Sequence, residues 1–350
     1  MKAIWGLAVV VCGAWLVAGT PAAAADGCAA EGKVSYLCGP ANAEDLALVP
    51  GTRWMITSGM TSPSVPTGHL YLVDTKARSW KALAPNMTGP AWAPYLRCPG
   101  PMDADKLVEH GLALRPGAGG KHTLYVVNHG GRESVEIFEV DATGAEPTLR
   151  WVGCTVMPEG AVPNSLAPTP EGGFIVSKFQ PANDPQAFEK MAADQATGAL
   201  YEWSPGSGFK MLPGTELPGD NGVEVSPDGK WVFLNVWPEK RVMRMARGSN
   251  APSVSVSMDF LPDNTHWAPD GKLLVTGQAS DIKSLLKCDK PRCPHGWAVV
   301  KLDPGTMQVT PILSVQGTEA FGDATGAIQV GDELWIGTYR GDRIAHASLK

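Results

Sequence analysis

From about residue 41 onward, apolar and polar positions alternate in short runs, and Gly, Pro, Asn or Asp interrupts them at close intervals. Alternation with a period of two predicts strands, and the interruptions predict tight turns. Strand-like runs fall at 52–58, 70–74, 123–128, 134–140, 173–178, 199–203, 231–236, 241–246, 254–260, 272–277, 297–302 and 333–337. Only 184–195 and 279–286 carry a helical pattern, and each is short enough to be an insertion between strands.

A second pattern is superimposed on the first. A polar residue, a short apolar-alternating run and a Pro- or Gly-led turn recur along the chain. Glu44 precedes Pro50-Gly51, His110 precedes Pro116-Gly117, Asn164 precedes Pro170, Asn221 precedes Pro227-Asp228-Gly229 and Thr325 precedes Gly331-Asp332, each six positions later. Asn264 precedes Pro269-Asp270-Gly271 with one residue fewer. Taken as anchors at 44, 110, 164, 221, 264 and 325, these residues are spaced 43 to 66 apart, a range that fits four-stranded blades with variable loops. The fold class expected is all-β, a six-bladed β-propeller with a central metal site. A β-sandwich would not explain a polar residue fixed before every turn. No linker divides the chain, so 41–350 reads as one propeller preceded by an arm at 26–40.

The 40 Gly and 30 Pro suit many short strands and turns, and the net charge of −6 gives no basic footprint for nucleic acid. The first 25 residues read as a secretory signal: Lys2, an apolar stretch from Ile4 to Val17, and Ala23-Ala24-Ala25 before Asp26. The apolar stretch is short for a membrane span and lacks a basic stop-transfer flank. Export to a periplasm or beyond is therefore expected, with no stable membrane span after cleavage. Removing Cys12 would leave Cys28, Cys38, Cys98, Cys154, Cys288 and Cys293, an even number that favours disulfides in an exported chain. Sequence does not choose the pairing. Cys28–Cys38 and Cys288–Cys293 close the shortest loops and would leave Cys98–Cys154.

Residues recurring at one place in each blade meet near the propeller axis. Calcium takes about six to eight oxygen ligands from carboxylates, amide carbonyls, backbone and water. Glu44 and Asp263 supply two negative charges, and Asn164, Asn221 and Asn264 supply neutral carbonyl oxygens. The anchors contain no Cys and no His pair, which disfavours zinc or copper. An Asn at a strand start is by itself an ordinary turn residue; the repetition is what points to a cation.

The motifs resemble those of the paraoxonase/arylesterase branch of the calcium-dependent six-bladed propellers, within a wider group that includes the senescence-marker/gluconolactonase and strictosidine-synthase-like proteins. The resemblance runs from 43 to 349. It is carried by Ala43-Glu44-Asp45-Leu46, His110-Gly111-Leu112, the run from Leu124 to His129 followed by Ser134 to Phe138, Val162-Pro163-Asn164, Asp220-Asn221-Gly222 with Ser226-Pro227-Asp228-Gly229, Asp263-Asn264, and Leu334 to Thr338. The resemblance implies a catalytic Ca2+ held by Glu44, Asn164, Asn221, Asp263 and Asn264, with His110 and His129 as acid–base residues. It implies hydrolysis of a small-molecule lactone or ester. It also implies a second, structural Ca2+ on Asp45 and the carbonyl of Leu112. There, however, Ser165 replaces a family Asp and lowers the charge of the site. The family's cysteine tie between last and first strands is absent from 344–350, so strand pairing alone is expected to close the ring.

Other residues are weaker candidates. His266 follows the Asp263-Asn264 pair and would face either channel or core. Lys178, Phe179, Trp237, Trp267, Phe321 and Tyr339 are candidates for an apolar wall near the site. No Gly-x-Ser-x-Gly elbow is present. The residues leave open a non-catalytic alternative, a ligand-binding or sensor propeller whose calcium is purely structural.

Overall fold

The computed structural model describes residues 28–62, 65–66, 68–249 and 253–350. The segment read as a secretory signal, and Cys12 within it, lie outside the described residues. The chain forms six four-stranded antiparallel sheets, the blades of a six-bladed β-propeller. Five blades are consecutive in sequence. The sixth is shared, since Val34–Cys38 pairs with Arg343–Ser348 at the outer edge of the last sheet. The segment read as an arm therefore contributes a strand, and antiparallel pairing closes the ring as the missing cysteine tie required.

The core follows from the period-two pattern. Successive side chains of a strand point to opposite faces of its sheet. Here both faces meet a neighbouring blade. Leu124 and Val126 pack toward Ile56 and Leu72 of the first blade, while the intervening Tyr125 and Val127 pack toward Phe174 and Val176 of the third. The second strand of the last blade likewise sends Trp335 toward Met55 and Val73, and Leu334 and Ile336 toward Leu274 and Val299. Each fully buried side chain of this size contributes about 1.5–3 kcal/mol. Two of the outermost strands behave differently. Ser79–Ala82 is exposed throughout, and Val309–Val315 is half-buried at best.

The two helices expected from sequence exist, at Ala187–Ala192 and Ile282–Lys287. They pack on each other through Ala187, Met191, Ile282 and Leu285, with Trp237 and Leu261 beneath. Three disulfides form: Cys28–Cys38, Cys98–Cys154 and Cys288–Cys293. No helix among the described residues is long and apolar enough to cross a membrane.

Every innermost strand carries the same irregularity. In the second blade, Glu109 opposes Asn128 and Leu112 opposes Val126, so His110 and Gly111 together face the single residue Val127. The same two-against-one bulge holds Asn164-Ser165, Asn221-Gly222, Asp263-Asn264 and Thr325-Gly326. Glu44-Asp45 stands at the corresponding place, where Glu44 N–H donates to the Ser58 carbonyl and Ser58 N–H donates to the Asp45 carbonyl. A bulge bends its strand and re-aims the extra side chain. The fifth anchor is therefore Asp263, not Asn264. The spacing from Asp263 to Pro269 is six, as in the other five blades. Asn264 occupies the second bulge position, beside Asp45, Gly111, Ser165, Gly222 and Gly326.

Neighbouring bulges press together near the axis. A Cβ on Gly111 would lie 2.3 Å from the Asn164 carbonyl oxygen, and one on Gly222 would lie 2.3 Å from that of Asp263. Only glycine permits that approach.

Candidate metal centre

The first bulge residues and Asn264 form one buried polar cluster. Asn264 Nδ2 donates to Glu44 Oε1 at 2.6 Å, joining the fifth blade to the first. His110 Nε2 lies 3.8 Å from the same Glu44 oxygen, and Asn164 Nδ2 lies 3.4 Å from His110 Nε2. Each of these contacts uses only part of the polar capacity. Glu44 Oε2, Asn164 Oδ1, Asn221 Oδ1 and Asn264 Oδ1 are buried and have no hydrogen-bond partner. Each such oxygen costs about 1–3 kcal/mol if left unsatisfied. Four in one cluster, all acceptors with no donor, match the ligand set of a hard cation. The residues present fit calcium on that observation.

The acids respond to the same surroundings. Burial, reinforced by Asp45 and Asp263, raises the Glu44 carboxyl well above its ordinary value, against the hydrogen bond from Asn264. Burial pushes Asp263 up to about 7, against hydrogen bonds from Gln278 and Asn221 and with Asp45 and Asp323 adding to the rise. Two buried carboxylates without a countercharge bind their protons more tightly than exposed ones.

Asp263 is fixed from behind. Gln278 Nε2 donates to Asp263 Oδ2 at 2.7 Å and to the Ala324 carbonyl at 2.8 Å, while Trp237 Nε1 donates to Gln278 Oε1 at 2.9 Å. Asn235 Nδ2 donates to the Asp263 carbonyl at 2.6 Å. Gln278 and Asn235 went unread in the sequence. A usable signal existed for Asn235, since Ser58, Ser177, Asn235 and Thr276 are the polar residues facing the bulges from second strands.

The histidines form a directed chain. His129 Nδ1 lies 2.7 Å from Glu133 Oε2, and His129 Nε2 lies 2.9 Å from His110 Nδ1. A carboxylate only accepts, so His129 Nδ1 carries the hydrogen. In neutral His129 the Nε2 then accepts from His110 Nδ1–H, and the lone pair of His110 Nε2 faces Glu44 and the Asn164 amide. Burial, with His129 beside it, lowers the His110 pKa well below the ordinary value, so the ring is neutral and able to take a proton.

The remaining candidates separate. Phe179, Phe188 and Trp237 form an edge-to-face group at this end of the channel. Trp267 lies at the other end, donating to the Val225 carbonyl and packing on Phe233. Phe321 is core, against Tyr36 and Trp297. Cys293, His295 and Asp323 come together, but Cys293 is in its disulfide and His295 Nδ1 is paired with Asp323 Oδ1 at 2.6 Å.

The pattern implied for a second ion does not fit. Asp45 Oδ1 receives the Leu46 N–H at 2.8 Å and His266 Nε2 at 2.7 Å, and Asp45 Oδ2 receives the Leu112 N–H at 2.7 Å. Leu112 thus presents its N–H, not its carbonyl, to Asp45. His266 faces the channel, and its Nδ1 lies 4.0 Å from Glu224 Oε1. Burial works against charge on His266, but Asp45 and Glu224 outweigh it and raise its pKa. Burial pushes Glu224 up to about 8 despite the attraction of His266.

Comparison with known proteins places this architecture. No protein-family model matches the chain, and no curated protein matches it. Solved structures do. A luciferin-regenerating enzyme matches at 11% identity with a TM-score of 0.57, over 90% of this chain and 94% of its own. A protein assigned as a gluconolactonase matches at 12% identity with a TM-score of 0.54, over 90% and 92%. A calcium-binding protein, regucalcin from Agrobacterium tumefaciens, matches at 12% identity with a TM-score of 0.52, over 88% and 90%. At these identities the likeness is one of fold: the chain shares the six-bladed β-propeller with these proteins.

Proposed function

We propose that the chain is an exported, calcium-dependent hydrolase of lactones or other esters. The observation that carries this reading is the juxtaposition of four unpartnered buried oxygens with the lone pair of His110 Nε2. Glu44, Asn164, Asn221, Asp263 and Asn264 would hold the ion. Calcium there would supply a Lewis acid that polarises the ester carbonyl. His110 Nε2 accepts the proton of an attacking water, while His129 and Glu133 orient the ring and stabilise the positive charge it gains. The same nitrogen returns the proton to the departing oxygen, or to the ring-opened hydroxyl of a lactone. The Phe179–Phe188–Trp237 group offers an apolar surface to the acyl portion.

Three disulfides suit an oxidising compartment, and the signal-like first 25 residues supply the route to it. The test is direct. Chain purified from Asp26 is stripped with chelator and assayed on phenyl acetate and a panel of small lactones, with and without calcium. Turnover restored by calcium is expected. Absence of turnover, with calcium still raising the melting temperature, would overturn the hydrolase reading and leave a structural ion in a binding propeller.

A further inference from the structure

We infer that His266 takes the place of a second, interior cation, so that the folded chain binds one divalent ion and not two. The count of one rests on the outer site proposed above; the interior half of the inference stands on its own contacts.

The argument starts from the second bulge position. Three of its six residues are Gly111, Gly222 and Gly326, which bring no side-chain oxygen to the axis. Ser165 Oγ accepts from the Val223 N–H at 3.4 Å, and the Asn264 amide is tied to Glu44 of the outer cluster. Asp45 is the only carboxylate in the layer. It is completely buried, and neither of its oxygens is unpartnered, in contrast to Glu44 next to it. Its acceptor positions point at N–H groups of its own blade, the second blade and the fifth. A cation approaching either oxygen of Asp45 would meet an N–H donor already in place, whereas calcium requires about six to eight oxygens.

His266 reaches Asp45 because the channel is cut away around it. Three residues beyond each anchor, the first three blades carry Ala47, Ala113 and Ala167, the fourth and fifth carry Glu224 and His266, and the sixth carries Ile328. The alanines leave the width that the imidazole crosses. Gly326 lies against the pair: a Cβ there would touch Asp45 Oδ1 at 3.4 Å and His266 Nε2 at 3.5 Å, ordinary contact distances. Beyond the ring, a cavity of about 670 Å3 opens at the turn end of the channel, with Glu224 and His266 among its lining. Solvent reaches that cavity, so the Asp45–His266 pair is also the partition between it and the metal centre.

The inference is tested by counting ions. Wild type and Asp263→Ala, each as the full mature chain, are dialysed against calcium chloride, and bound calcium is measured by elemental analysis. One equivalent in wild type and none in Asp263→Ala is expected. Two equivalents in wild type, or one that survives Asp263→Ala, would place an ion inside and overturn the inference. No calcium in wild type would break the outer-site reading while agreeing with an interior that takes none. His266→Ala adds an independent reading. Its melting temperature in chelator is expected to fall below that of wild type, because Asp45 loses a donor that calcium is not present to replace. An unchanged melting temperature in chelator would overturn the role of the ring.

Discussion

Glu44 and Asp45 are neighbours in sequence, both buried and both aimed near the axis, yet they are treated in opposite ways. Glu44 keeps one oxygen unpartnered among three amide oxygens in the same condition. Asp45 has its oxygens filled by two backbone N–H groups and an imidazole. The fold thus builds two polar layers a residue apart. One is left short of positive charge; in the other, whose Asn264 joins the first layer through Glu44, the sole carboxylate is completed from within. The number of carboxylates does not separate a metal site from a structural knot here; the supply of donors does.

Removing the acid that anchors the open layer should break the contrast most severely. Asp263→Ala is expected to abolish detectable calcium binding and to lower ester hydrolysis by about three orders of magnitude or more, as read by calorimetric titration and kcat/KM. His110→Ala should lower kcat by roughly 10²–10⁴-fold and leave calcium affinity within about threefold, because the ring faces the cluster without being one of its oxygens. Equal losses in affinity and rate would show the histidine to be structural. Gln278→Ala is expected to weaken calcium affinity by about 10–100-fold, since Asp263 Oδ2 loses the amide that aims it. Titration in buffers of different pH separates that effect from general loosening.

The smallest effect sharpens the contrast through protons. Metal-free Asp263 titrates at about 7, raised by burial. The proton occupies the carboxylate below that value and competes with the ion, so calcium affinity should fall as pH falls. The Asp263 proton alone gives about tenfold weaker binding at pH 6 than at pH 8, and the raised Glu44 carboxyl steepens the fall. Proton release measured in buffers of differing ionisation enthalpy should accompany binding near pH 7. A pH-independent affinity would mean that Asp263 is ionised without the metal.

Much of this was legible because a propeller repeats itself. The interval from polar anchor to turn exposed the six inner strands, and the alternating runs exposed their partners. The fifth anchor was misread because Asp263 and Asn264 are both plausible oxygen donors, and only strand register separates first from second bulge position. The outermost strand of the first blade was faint for a different reason. Ser79–Ala82 buries no face, so no alternation is required of it. Trp267 was assigned to the wrong end because proximity in sequence to Asp263 hides how far an extended strand travels, at about 3.3 Å per residue. Gln278 was invisible since a single buried amide in an apolar run has no periodic signature; its role comes from contacts across three blades.

The shared sixth blade has a consequence for how the molecule comes into being. Val34–Cys38 is among the earliest of the described strands to be synthesised, and its partner Arg343–Ser348 is the last. The early strand must wait, unpaired, while five blades are made, and an unpaired strand edge invites association with other chains. A product truncated before Arg343 would leave that edge open permanently and the sixth sheet with two strands. The clasp thus acts as an inspection of the propeller: only a chain carried through Ser348 can cover the edge that Val34–Cys38 presents.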